Sequence, residues 1–146
     1  MGQLDTEPER KILMHLIVCL DERGGMAFNH RRQSRDRAVT ADILAHLAGQ
    51  PLWLAPASAA LFGGAVPLRV AEDVLAQAPD DACCFVETGP LAPYAARIDR
   101  LTVYRWHRHY PADVHFDLPL EKWRLVSARD FAGHSHETIT REDYER

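Results

Sequence analysis

From Leu13 to Leu20 the chain is apolar except for His15, and Leu16–Leu20 has no polar break. A run of that length without alternation predicts a strand buried on both faces. Val39, Ile43, Leu44 and Leu47 then recur at helical spacing and mark one face of a helix ended by Gly49. Leu52–Leu54 reads as a short strand, Ser58–Phe62 as a short helix stopped by Gly63-Gly64, and Val66–Val70 as another strand. Glu72–Ala78 reads as a helix closed by Pro79-Asp80-Asp81, Cys83–Val86 as a second buried strand, and Leu91–Ile98 as a helix. Leu101–Trp106 is the next expected strand. Beyond it the helical period disappears, and Val114–Phe116, Trp123–Val126 and Glu137–Tyr144 read as short antiparallel strands at the sheet edge.

This order predicts an α/β fold, with a mainly parallel central sheet, helices on both faces and antiparallel C-terminal edge strands. No internal repeat or linker divides the chain, so residues 11–146 are expected to form one domain. Residues 1–10 are polar and are expected to be a disordered extension, and Met14 is an alternative start.

The net charge of −4 argues against a nucleic-acid footprint over the whole surface and leaves only a local basic patch. Lys11 and Lys122 are the only lysines among 17 basic residues, a bias that base composition alone can produce. Cys19, Cys83 and Cys84 lie in apolar runs and read as buried thiols in a reducing compartment. No stretch approaches the roughly 20 apolar residues of a membrane span, and no signal-peptide pattern opens the chain. A cytoplasmic protein is expected.

The densest chemistry lies in Asp21–Arg37, DERGGMAFNHRRQSRDR. A Gly-Gly loop after the first strand delivers Arg31, Arg32, Arg35 and Arg37 just before the helix. Planar guanidinium groups there suit phosphate or carboxylate, and ligands of open α/β sheets bind beyond the strands' carboxyl ends. The bland alternative is a solvated charge run offset by Asp21, Glu22 and Asp36. Under the binding reading, Phe28 and Asn29 supply stacking and a polar contact, and Asp21 belongs to the same loop.

His107/His109 and His134/His136 each place two imidazoles on one face if they lie on strands. Metal binding then needs the two pairs to meet, and interleaved arginines oppose it, so no metal is expected. His134 or His136 as general base, beside the arginines, would suit phosphoester or RNA hydrolysis. Ser34 and Ser135 lack any nucleophile-elbow context, and Cys83 and Cys84 should be unreactive with raised pKa values. Tyr104, Trp106 and Tyr110 would make a stacking ladder for single-stranded RNA, though alternating aromatics more often pack a core. RNA is therefore possible but not favoured.

Several segments together resemble dihydrofolate reductase along most of the chain. LIVCLDERGG is similar to that family's first strand and mobile loop, and QPLWLAPASAALFG (50–63) to its second strand and following helix. CCFVETGPLAPYAARIDRLTVYRW (83–106) is similar to the strand–helix–strand that closes over the cofactor, PADVHFDLPLEKWRLVSARDF (111–131) to the tail, and DYER to the end. The resemblance implies that fold, a substrate carboxylate in the early helix, and NADPH-dependent reduction.

The departures fall on the cofactor and substrate elements. Glu87-Thr88-Gly89-Pro90 stands where the family has a glycine run facing pyrophosphate, bringing a repelling carboxylate and a proline without an N–H. Ala55-Pro56-Ala57-Ser58 replaces the family's Gly-Arg-x-Thr, and between Gly64 and Val66 the chain skips a strand and loop bordering the adenosine. Asp36 lies nearest the family's substrate carboxylate, with Asp42 second, or else is a helix-terminal residue favouring the N-terminal dipole. No cofactor is therefore expected. FNHRRQSRDR, CCFVETG, VYRWHRHYPADVHFD and SHETITREDYE also resemble a small bacterial family often labelled ribonuclease Z. That label implies a two-zinc nuclease with His-x-His-x-Asp-His, a motif this chain lacks. The expected role is binding of a small anionic or nucleotide-like ligand through the Arg-rich loop. A hydrolase using His134/His136, or a reductase with an atypical cofactor mode, are the alternatives.

Overall fold

Strand β1 (Met14–Leu20) pairs in parallel with β6 (Cys83–Phe85) on one side and β7 (Ile98–Arg105) on the other. Flanked by strands and covered on both faces, it buries every residue but His15 and Cys19 almost completely, which is why its sequence shows no alternation. The computed structural model describes residues 14–64 and 66–146. The extension expected over residues 1–10 lies outside the described residues.

The main sheet runs β5 (Leu68–Val70), β4 (Leu52–Leu54), β6, β1, β7, β10 (Thr138–Glu145), β9 (Arg124–Ala132). The first five strands are parallel, and β10 and β9 close one edge antiparallel. Helix α1 (Arg37–Leu47) packs Val39, Ile43 and Leu47 among Ile17, Leu54, Phe85 and Tyr104 on one face. Three such burials stabilise by roughly 5–9 kcal/mol as an upper bound, against about 1 kcal/mol for a cap. Packing, not propensity, holds this helix. Its end comes at Ala48, left-handed at φ 52°, one residue before the expected stop Gly49 at φ 84°.

Helix α2 (Pro56–Ala59) begins two residues earlier than expected, with Pro56 in its first turn where a missing N–H costs nothing. On the opposite face α3 (Val74–Gln77) presents Val74 and Leu75 to the core formed by Leu16, Val18, Cys84 and Val103. The helix expected over Leu91–Ile98 is a 3-10 helix, Ala92–Arg97. Its start is fixed by Asp117, which accepts from the Leu91 and Ala92 amides at 2.9 and 3.1 Å.

Two expectations are corrected. The Asp21–Arg37 stretch is not a loop: β2 (Gly25–Phe28) and β3 (Arg31–Arg32) form a hairpin in which Phe28 pairs with Arg31. Asn29 and His30, at φ 52° and 62°, make its two-residue turn, the left-handed pair that matches strand twist. Val114–His115 (β8) is not at the edge of the main sheet either. It pairs with β2, giving a separate three-stranded sheet, β3-β2-β8.

Candidate functional site

The hairpin and the segments that follow β4 and β6 enclose a cleft of about 700 Å³. Ala55 and Ser58 come from the β4 side, Phe85 to Pro90 from the β6 side, and His30, Arg31 and Arg32 from the hairpin. Val74, Leu75, Pro93 and Tyr94 complete a largely apolar wall. The position, beyond the carboxyl ends of parallel strands, is the one open α/β sheets use for ligands.

The four arginines do not act as one cluster. Arg31 and Arg32 line the cleft, whereas Arg35 and Arg37 line a separate hollow of about 520 Å³ with Thr40, His134 and Ser135. Arg32 donates to Glu87 (Nε–Oε2 2.8 Å) and to the Ala57 carbonyl, and the other Glu87 oxygen accepts from Ser58 (2.6 Å). Glu87 thus crosslinks the hairpin to α2. Arg31 is exposed and has no side-chain partner among the described residues. Arg37 donates to His134 Nε2 at 2.7 Å.

Phe28 is 47% exposed, and Phe28 and Asn29 border a shallower space of about 300 Å³ beside Arg31, Gln33 and Tyr110. Asp21 is buried and fully used by its own turn. It accepts from the Arg23 and Gly25 amides (2.8 and 2.7 Å), Gln33 Nε2 (2.9 Å) and the Tyr110 amide (3.3 Å). Burial would raise its pKa, and these hydrogen bonds outweigh that and hold it below the usual range. A carboxylate so occupied anchors the hairpin and has nothing left for a ligand.

The histidines are not paired on strands. His134 and His136 lie in the turn joining β9 and β10, and His107 and His109 follow the end of β7. His134 is exposed. His136 is buried, stacked on Trp106 at 4.6 Å, with Nδ1 3.0 Å from Asp36 Oδ2 and Nε2 2.9 Å from the Tyr110 hydroxyl. Ser34 Oγ stands 3.1 Å from the same Nε2. No group of three or more His, Cys, Asp or Glu side chains among the described residues could hold a metal ion.

Asp36 is the N-cap of α1 and more. Besides the Ala38 amide at 2.8 Å, it accepts from the amides of His134, Ser135 and His136, so the β9–β10 turn wraps the carboxylate in successive N–H groups. Burial opposes the charge, and these bonds overcome it, driving its pKa far below the ordinary value. Asp42 is drawn into the other side of α1, where it accepts from Tyr104, Arg129 and Arg141. Burial pushes the thiols of Cys83 and Cys84 up to about 11 and about 12. Tyr104 and Trp106 are core residues.

No family model and no curated protein matches this chain. Among solved structures, it is similar to a dihydrofolate reductase from Enterococcus faecalis complexed with NADP(H) and RAB-propyl. Identity is 15%, the match covers 93% of this chain and 97% of that one, and the TM-score is 0.62. The fold is that of dihydrofolate reductase. On this dihydrofolate reductase-like frame the turn after β6 carries Glu87, tied to Ser58 and Arg32, and Pro90, which has no amide hydrogen to offer.

Sequence reading missed Glu87, Ser58 and Tyr94 as cleft residues, and Tyr110 and Trp106 as partners of His136. Glu87 carried a signal, a carboxylate in the turn after a buried strand, where the resembling family has a glycine run. Tyr110 and Trp106 carried none, because their contacts are with residues at least 26 positions away.

Proposed function

We propose that this protein binds a small anionic, nucleotide-like ligand in the 700 Å³ cleft, with its anionic group on Arg31. The observation that carries the reading is one exposed guanidinium, unpaired among the described residues, at the rim of a largely apolar cavity at the strand ends. A flat heterocycle fits the wall of Val74, Leu75 and Tyr94, and the anion meets Arg31 with His30 beside it. Glu72 and Asp73 repel negative charge elsewhere in the cleft, which favours one orientation of the ligand. Arg32, neutralised by Glu87, contributes less. Arg35 and Arg37 lie in the other hollow and stand outside this role.

The test is calorimetric titration with NADPH, adenine nucleotides and folate analogues. Arg31→Ala should weaken binding by about tenfold or more, the scale of one charge-assisted contact, while Arg35→Ala should not. Equal affinities in wild type and Arg31→Ala would overturn the reading. NADPH oxidation with dihydrofolate would replace it by the reductase alternative, which the likeness to an NADP(H)-bound protein keeps in view.

A further inference from the structure

We propose that Ser34 is a nucleophile activated by His136, and that it opens a carboxylic ester with a short acyl group. Ser34 and Asp36, two residues apart at the start of α1, meet His136 from the β9–β10 turn in the order such chemistry needs. Asp36 Oδ2 lies 3.0 Å from His136 Nδ1, and His136 Nε2 lies 3.1 Å from Ser34 Oγ. The carboxylate holds the proton on Nδ1 and leaves Nε2 as the acceptor facing the hydroxyl. Asp36 is a positioning residue, immobilised by the amides of the β9–β10 turn. The Trp106 stack fixes the imidazole plane.

A second observation points to the same place. Ser34 borders a recess of about 10 Å³ together with Gln33, Arg32 and Glu87, and the last two also line the main cleft. The recess is about one water in size, so only a short acyl group suits the space beside Ser34, and the rest of the ester must extend towards the cleft whose wall Arg32 and Glu87 share.

The step balances within these residues. Ser34 Oγ bonds to the ester carbonyl carbon while its proton passes to His136 Nε2. The imidazolium returns that proton to the departing alkoxide as the C–O bond breaks. Water, deprotonated by the same nitrogen, then attacks the acyl–Ser34 ester and restores the hydroxyl with release of a carboxylic acid. Tyr110, 2.9 Å from Nε2 and 3.3 Å from Ser34 Oγ, donates to whichever of the two is without a proton.

A neutral fluorophosphonate probe tests this by intact-mass and peptide analysis. One adduct is expected, on Ser34, absent in Ser34→Ala. His136→Gln should slow its formation by about 10²-fold or more, the scale of general-base assistance. No adduct, an adduct that persists in Ser34→Ala, or a His136→Gln rate equal to wild type would sink the proposal. If His136→Gln fails to fold, Ser34→Cys replaces it. The introduced thiol should react with iodoacetamide at neutral pH faster than the same thiol in the unfolded chain, and an equal or slower rate refutes activation. The probe carries no anion, so Arg31→Ala should label at the wild-type rate. Failure here is therefore separate from failure of the ligand-binding reading.

Discussion

His15 is polar in a strand otherwise given to the core, and its protonation state follows from its neighbours. Thr102 donates to Asp143 at 2.7 Å, so the Thr102 oxygen is left to accept from His15 Nε2, also at 2.7 Å. In the neutral ring that places the proton on Nε2, with Nδ1 turned to the Cys83 sulfur at 3.9 Å. Burial, and next the Arg100 charge, bring the imidazole pKa down from 6.5 to about 4. Above pH 6.5 the ring is neutral in both states and contributes nothing to pH dependence. Between 6.5 and 4 the unfolded chain takes up a proton that the folded chain refuses, so stability falls as pH falls, by about 3 kcal/mol across the window. Asp21 and Asp36, whose pKa values are depressed, are ionised throughout it and lose their contribution only below about pH 4. Urea melts of wild type and His15→Gln from pH 7 to 4 should therefore diverge, the variant losing less stability. Parallel curves would show that His15 titrates normally. No sequence neighbour of His15 foretells this, because Thr102 and Asp143 are brought to it by strand pairing.

At the scale of elements, the junction between the start of α1 and the β9–β10 turn holds the site in shape. A Cβ at Gly133 would lie 2.3 Å from the His136 carbonyl oxygen and 2.9 Å from Asp36 Oδ2, so the turn is closed to any larger residue. Gly133→Ala should destabilise by about 2–3 kcal/mol through overpacking and loosen the amides gripping Asp36; a melting curve that overlays wild type would show the turn can shift without cost. This junction was invisible in the sequence, where Asp36 offered only a helix cap and Gly133 nothing. What could be read were the elements whose own residues are buried: β1, β4, β6 and the Val39–Leu47 face of α1. Strand β9 was read as Trp123–Val126, because all its residues but Phe131 are exposed. Its nine-residue length comes from the ladder to β10, a long-range fact that no local pattern carries. The hairpin was hidden for a different reason. Asn29 is a usual first residue of such a turn, but His30 occupies the second left-handed position that glycine normally marks.

For the molecule as a whole, charge decides between a small ligand and a polymer. The chain carries a net −4, and the cleft that exposes Arg31 is also lined by Glu72, Asp73 and Glu87. A run of RNA phosphates would cross both signs, and the arginines that could extend the track, Arg35 and Arg37, face a different hollow. Each phosphate neutralised releases counterions and steepens the dependence of log K on log salt by about 0.7 for a single strand. Contact through Arg31, with His30 in support, thus predicts a slope near −1 for a mononucleotide. A ten-nucleotide RNA should show the same slope and no gain in affinity beyond the number of equivalent ways it can place one phosphate. Fluorescence anisotropy between about 50 and 200 mM salt, a range over which polymer binders lose several decades of affinity, measures both. A slope of −4 or steeper for the oligomer would mean that the two hollows and the hairpin surface act as one track, and the ligand would then be a polynucleotide.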